Sequence, residues 1–252
     1  RLGFVLFLLA GALSWASPVA EATVTILRVD KDANTGGNGS SWGSAFKYLQ
    51  DAIDAATAST PNSVEIWVAE GTYYPDDDEG SEHTDDSRTE HFLLKHYVAI
   101  YGGFAGNETS KSERDWETHV TVLSGDIDQD DGASDPDDGN TYHVVRSASG
   151  TSSTTSRDVV TVERGYASES WPDGGGAGFM NIGQQTSATF RNCLFQNNHS
   201  VAGAAAVYIH NENGGSNCEV TFEDCIFLSN AAGNGWGGAV YNSLRANTTF
   251  QR

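Results

Sequence analysis

Alternating carboxylates mark one short stretch of this 252-residue chain, Asp126-Ile-Asp128-Gln-Asp130. Carboxylates at this spacing, followed by a turn, can converge on a hard cation such as Ca²⁺, which takes roughly six to eight oxygen ligands. The spacing matches the first half of an EF-hand loop, but the glycine comes one residue late and Asp137 stands where a glutamate is expected. The sequence predicts a Ca²⁺ site at Asp126, Asp128, Asp130 and Asp137, with a solvated acidic loop as the alternative.

Two tryptophans stand next to glycine-rich turns, Trp171 shortly before Gly174 and Trp236 directly before Gly237. An indole ring offers a flat apolar face on which a sugar ring can stack. These two residues are the predicted carbohydrate contacts. The alternative is that each ring only anchors its loop to the rest of the fold.

The charge balance excludes one class of partner. The chain carries 34 acidic and 14 basic residues, for a formal net charge of −20. Nucleic acid is not an expected partner, because binding phosphates needs Lys and Arg to displace counterions. An acidic surface of this kind suits an extracellular setting.

A repeat near the C-terminus predicts the secondary structure that positions the candidate calcium ligands and tryptophans. Two segments match at a spacing of 32 residues, and the small-residue block that follows each is shifted by 33. Such self-similarity predicts stacked units that share one core. Equivalent residues would then form ladders: Phe190 with Phe222, Cys193 with Cys225, Phe195 with Phe227, and Asn198 with Asn230. The cysteines read as small buried residues, although one disulfide of unspecified pairing among Cys193, Cys218 and Cys225 remains open.

Most of the rest of the chain is predicted to form short β-strands. Residues 23–29 and 64–68 alternate like strands, and further short β-runs follow. Between these two segments, residues 44–56 space their apolar side chains as one face of a helix, with Ser44 as its N-cap. An amphipathic helix here would cap the open end of a solenoid, and an ordinary packed helix is the alternative.

The N-terminus has the pattern of a secretory signal peptide over residues 1–22. Arg1 precedes an apolar run that ends at Leu13, and Ala20-Glu21-Ala22 resembles a cleavage site. Export to the cell surface or the medium is therefore expected. The apolar run is too short for a membrane-spanning helix, and no later segment is predicted to span a membrane.

The repeat resembles that of secreted right-handed parallel β-helix proteins of the pectin-lyase-like superfamily, and in particular repeats like those of polymorphic outer membrane proteins. That signature is Phe-x-x-Asn with Gly-Gly-Ala-aliphatic. Phe195-Gln-Asn-Asn198 and Phe227-Leu-Ser-Asn230 match the first part and Gly237-Gly-Ala-Val240 the second, whereas Ala204-Ala-Ala-Val207 lacks both glycines. The N-terminal half is similar to a module that precedes such repeats, through the motifs Ser41–Phe46, Glu65–Tyr73, Tyr101–Gly106, Glu113–Trp116 and Leu123–Asp126.

The resemblance implies an all-β, right-handed parallel β-helix with an N-terminal amphipathic capping helix. Residues 23–150 would form the cap and the first coils, and residues 151–252 the repeat coils, truncated within a coil. The implied role is structural, adhesive or glycan-contacting, at a host or neighbouring cell surface. The alternative is a polysaccharide lyase or glycoside hydrolase on the same scaffold. For a lyase base, Lys95, Arg146, Arg157, Arg164 and Arg191 are candidates, and for hydrolase acids Asp158 and Asp173, but none stands in a catalytic motif.

Overall fold

Parallel β-strands, one α-helix and two 3₁₀ turns, Trp42–Ser44 and Lys111–Glu113, make up the regular structure of the described residues. The computed structural model describes residues 21–58, 62–79, 87–131, 139–147, 155–170, 174–183, 186–211, 218–233 and 237–252. The predicted signal peptide therefore lies outside the described residues except for its last two positions. The prediction of an all-β fold built on parallel sheets is confirmed.

Four parallel sheets contain the twenty strands of the described residues. The first sheet, in spatial order, is β1 (Val24–Val29), β2 (Ser63–Ala69), β5 (Val98–Phe104), β8 (Thr155–Asp158), β12 (Ser187–Arg191), β16 (Cys218–Glu223) and β20 (Ala246–Gln251). The second is β3 (Gly71–Tyr73), β6 (Thr121–Ser124), β9 (Thr161–Glu163), β13 (Leu194–Gln196) and β17 (Ile226–Leu228). The third is β4 (Phe92–Leu94), β7 (Val145–Ser147), β11 (Phe179–Ile182), β15 (Val207–His210) and β19 (Val240–Ser243). The fourth is β10 (Tyr166–Ala167), β14 (His199–Ser200) and β18 (Ala231–Ala232).

The pairing register follows the sequence repeat. Phe190 of β12 pairs with Phe222 of β16, and Phe195 of β13 pairs with Phe227 of β17. In the third sheet Val207 pairs with Val240, at the spacing of 33 seen in the sequence. Each sheet thus takes one strand from each successive segment of the chain, an arrangement compatible with a parallel β-solenoid.

Left-handed residues make the corners between the first and second sheets and between the second and fourth sheets. Asn192 and Asp224 occupy equivalent positions after β12 and β16, with φ of 49° and 50°. Asn197 and Ser229 follow β13 and β17 with φ of 51° and 53°. Asn and Asp tolerate this conformation better than most side chains, which explains their place at the corners.

The helix is shorter than the sequence predicts. It spans Leu49–Ala55 (α1), and Ser44 is not its N-cap but the last residue of a 3₁₀ turn, Trp42–Ser44. The reason lies in Phe46, whose backbone N–H donates to the Arg28 carbonyl while its own carbonyl accepts from the Asp30 N–H. That bridge to β1 keeps the chain extended, so the helix begins only after Tyr48.

Helix α1 packs its buried side chains, Leu49, Ala52 and Ile53, toward the core beside β1, β2 and β4. Among the described residues, no helix combines the length and the apolar character needed to cross a membrane.

Candidate functional site

Two stacked tyrosines stand out on the outer side of the third sheet. Along β15, Val207 and Ile209 are buried, so the alternation of strand side chains turns Tyr208 outward. Tyr208 pairs in register with Tyr241 of β19, and the two rings stack with centroids 5.4 Å apart and planes inclined by 7°. The ring of His210 continues the stack, 6.0 Å from Tyr208 at 9°. The result is a partly exposed stack of rings, which we call the aromatic platform.

A groove runs beside this aromatic platform, and its floor depends on glycine. The described residues that line it are Gly174, Gly175, Ala202, Gly203, Tyr208, Tyr241 and Ser243. A Cβ atom placed on Gly203 would lie 2.7 Å from the Gly175 Cα, and one on Gly176 would lie 2.8 Å from the Tyr208 Cβ. The main chain therefore approaches the rings more closely than a side chain would permit.

The electrostatics of the groove favour a neutral ligand. Partial burial raises the pKa of the Tyr208 phenol, although its hydrogen bond with Ser243 acts in the opposite direction. The phenol therefore stays protonated at neutral pH and can donate a hydrogen bond. The groove residues named above offer aromatic faces, hydroxyl groups and main chain, a combination suited to stacking on a sugar ring and bonding its hydroxyls.

The predicted carbohydrate contacts Trp171 and Trp236 both lie outside the described residues. The sequence alone does not single out Tyr208 and Tyr241, because their spacing of 33 belongs to the repeat. The signal that identifies them is the alternation around Tyr208, where an aromatic residue stands between two buried aliphatic ones.

The acidic stretch forms a compact cluster with a different membership from that predicted. Asp126, Asp130 and Asp131 each bring one carboxylate oxygen within 4.8 Å of the others. Asp126 Oδ1 accepts hydrogen bonds from the main-chain N–H groups of Asp130 at 3.1 Å and Asp131 at 3.4 Å. The Asp128 carboxylate lies against Gly139 instead, and Asp137 lies outside the described residues.

Arg164 meets this acidic cluster from the end of β9, which pairs with β6. Its Nη1 lies 3.3 Å from Asp131 Oδ2 and 3.7 Å from Asp126 Oδ2. Asn140 Nδ2 also donates to Asp131 Oδ2, at 2.7 Å. Burial raises the pKa of the Asp131 carboxyl, against the opposing effects of Asn140 and Arg164. The oxygen donors suit Ca²⁺, but an ion bound here would compete with the guanidinium of Arg164.

Several residues considered for acid–base chemistry have structural partners. Asp158 accepts from Arg114 Nη2 and from Asn192 Nδ2, each at 3.1 Å. Arg191 is paired with Glu223, its neighbour on the next strand. Lys95 Nζ donates to the Ile53 carbonyl at 2.6 Å, beyond the end of β4. The side chain of Arg157 and the whole of Asp173 lie outside the described residues.

The repeat residues lie together in the interior. Phe195 stacks on Phe227 with centroids 5.1 Å apart and planes at 10°. Asn198 Nδ2 donates to Asn230 Oδ1 at 2.9 Å. Cys193 and Cys225 occupy equivalent positions directly before β13 and β17, and neither is joined in a disulfide. These residues pack neighbouring strands of the parallel sheets against one another, and the side chains that alternate with them face outward.

Comparison with known proteins gives no match, since no family model, curated protein or solved structure is significantly similar to this chain. The functional argument therefore rests on the geometry of the described residues.

Proposed function

We propose that this chain is an exported, cell-surface or extracellular β-helix protein that contacts glycans through the groove beside Tyr208 and Tyr241. The observation that carries the proposal is the parallel stacking of these two rings beside a groove lined by glycine. A ladder of stacked rings suits a repeating ligand, because the same aromatic and hydroxyl groups recur from one strand to the next along the groove. The role is structural or adhesive, with binding rather than turnover as its outcome.

The proposed fold is a right-handed parallel β-helix of the pectin-lyase-like kind, with α1 as its N-terminal cap. The one-strand-per-coil pairing in each sheet supports the β-helix, and the general handedness of parallel crossovers supports the right-handed form. The burial of Leu49, Ala52 and Ile53 beside β1 supports a capping role for α1. The Phe-x-x-Asn residues support the family resemblance, since Phe195 and Asn198 both face the interior.

Export is proposed from the N-terminal pattern of residues 1–22 and is supported by the formal net charge of −20. The partners would be glycans of a host or neighbouring cell surface. Ca²⁺ is proposed as an ion that binds Asp126, Asp130 and Asp131 in exchange with Arg164 and stiffens this coil.

A carbohydrate-active enzyme is the second candidate, and one observation favours it. Arg164 lies within ion-pair distance of both Asp126 and Asp131, which places a base and two carboxylates together, the residue types that acid–base chemistry uses. One observation argues against an enzyme: the Asp131 side chain is only 2% exposed, so a polysaccharide could not reach it without a local rearrangement.

Incubation with a panel of plant and algal polysaccharides, with and without Ca²⁺, tests the two candidates together. Retention on a glycan without cleavage is the result that the binding proposal predicts. Products with unsaturated ends would establish a lyase, and new reducing ends a hydrolase. A protein that is retained on no glycan and releases no product would overturn both candidates.

A further inference from the structure

Two cysteines lie side by side on neighbouring coils. The main-chain N–H of Ile226, directly after Cys225, donates to the Cys193 carbonyl at 2.9 Å. One residue earlier, the N–H of Asn192 donates to the Glu223 carbonyl, also at 2.9 Å. The two cysteines thus stand at the spacing of adjacent paired strands, about 4.8 Å. That spacing falls within the range of about 4.4–6.8 Å between Cα atoms that a disulfide requires.

The two side chains also share one orientation. Cys193 Sγ donates to the carbonyl two residues before it, Arg191 O, at 3.1 Å, and Cys225 Sγ does the same to Glu223 O at 3.4 Å. Cys225 Sγ also reaches across to the preceding coil, where it lies 3.4 Å from the Phe190 carbonyl. The thiol of Cys225 therefore points toward the coil that carries Cys193.

The two thiols differ in reactivity. The hydrogen bond from Cys193 lowers the pKa of the Cys225 thiol, whereas burial raises the pKa of the Cys193 thiol. Cys193 is buried, but Cys225 is partly exposed and lines a surface concavity with Ile226 and Phe250. An oxidant can therefore reach Cys225, and this cysteine also supplies the better nucleophile.

We infer that Cys193 and Cys225 form a redox pair that closes to a disulfide between adjacent coils. The oxidant is a small-molecule disulfide such as oxidised glutathione. The Cys225 thiolate attacks one glutathione sulfur, which breaks the S–S bond, releases one glutathione thiolate and forms a mixed disulfide. Cys193 then gives its proton to the released glutathione thiolate and attacks Cys225 Sγ, and the second glutathione leaves as a thiolate that takes up the proton lost by Cys225. Two protein thiols are oxidised, and one glutathione disulfide is reduced to two thiols.

Cys218 is excluded from this pair by its place in the fold. It begins β16, whereas Cys225 follows the end of the same strand, so the two are about 20 Å apart along the chain direction. Its sulfur accepts a hydrogen bond from Thr186 Oγ1 at 3.2 Å and donates to the Gly183 carbonyl at 3.1 Å. Cys218 therefore serves as the control for the reactivity of a buried thiol on the same chain.

Mapping the bond by mass spectrometry tests the inference. The protein is incubated with oxidised glutathione, its remaining thiols are alkylated, and it is digested without reduction by a protease specific for glutamate. Cleavage after Glu212, Glu219 and Glu223 places the three cysteines in separate peptides. The expected product is a linked pair of peptides with Cys193 and Cys225, two hydrogen atoms lighter than their sum. A link that contains Cys218, or full alkylation of all three thiols, would overturn the inference.

Two variants test the order of the steps. In Cys193→Ser, the mixed disulfide cannot be resolved, so Cys225 should retain one glutathionyl group. In Cys225→Ser, Cys193 should stay unmodified because it is buried. Glutathione found on Cys193 in this second variant, or none on Cys225 in the first, would contradict the assigned roles. Cys218→Ser should still form the bond in full.

Discussion

Phe190 and Phe222 stack ring on ring across the neighbouring strands β12 and β16, with centroids 5.4 Å apart and planes inclined by 14°. Their main chains pair in parallel register, and Phe250 continues the column at 5.5 Å from Phe222. This phenylalanine ladder connects the repeat in the sequence to the packing of the core. Replacing a residue in the middle of the ladder should therefore lower the free energy of unfolding more than replacing one at its exposed end.

Phe222→Ala is expected to lower the free energy of unfolding by about 3–5 kcal/mol, because it opens a cavity between two stacked rings. Phe250→Ala is the matched control, since Phe250 is the same residue type in the same ladder but is 60% exposed. Its expected cost is below about 1 kcal/mol. Urea unfolding followed by circular dichroism measures both. Equal losses of unfolding free energy in the two variants would show that packing within the ladder does not stabilise the core.

Substitution of Asn198 is also expected to lower the stability of the fold strongly. It is fully buried, its Oδ1 accepts from the Gly165 N–H at 3.1 Å, and its Nδ2 donates to the Val162 carbonyl at 3.0 Å. Asn198→Ala removes both side-chain hydrogen bonds, leaves the Gly165 N–H without this acceptor, and should cost about 2–4 kcal/mol.

The control for this prediction is Asn197→Gly. Asn197 is exposed and has φ of 51°, a conformation that glycine adopts freely. Thermal unfolding should show a change within about 1 kcal/mol for this variant. A loss as large as that of Asn198→Ala would mean that the corner backbone, and not the amide ladder, is the sensitive feature.

Calcium is expected to raise the melting temperature by about 4 °C at an ion concentration ten times the dissociation constant. Asp130→Asn should remove this response, because Asp130 supplies an exposed ligand of the acidic cluster. Asp128→Asn should keep it, because the Asp128 carboxylate lies against Gly139. Differential scanning calorimetry in calcium and in chelator measures the shift. The same melting temperature in both solutions would rule out the calcium site.

The parallel β-strands of the repeat could be predicted because their signals are periodic. Phe190 and Phe222 recur at a fixed spacing, and equivalent residues in a stack must occupy equivalent places. The start of the helix could not be predicted in the same way. Ser44 has the residue type and spacing of an N-cap. Phe46, however, pairs with Val29 of β1, which precedes it in the sequence by more than one turn of any helix, so no local pattern reveals the pairing. A nonlocal hydrogen-bonded bridge outweighed a local capping preference there.

The sites were harder to predict because each is assembled from more than one coil. The carboxylates of the acidic cluster come from one loop, but Arg164, which meets them, follows more than thirty residues later. The alternating carboxylates of the sequence predict Asp128 as a calcium ligand. In the structure, the turn of the main chain brings Asp131 to Asp126 instead. The groove at Tyr208 likewise depends on Gly175 of the preceding coil, whose closeness to Gly203 no local pattern expresses.

Glycan retention by tyrosine variants tests the central claim most directly. Tyr208→Ala with Tyr241→Ala removes the aromatic platform, and Trp116→Ala is the control because Trp116 is a 47% exposed aromatic residue outside the groove. Affinity electrophoresis against the glycan that retains the wild type, with melting curves to verify folding, gives the comparison. The account predicts about a tenfold loss of affinity in the double tyrosine variant and wild-type retention in Trp116→Ala. Unchanged retention in a folded double variant would contradict it.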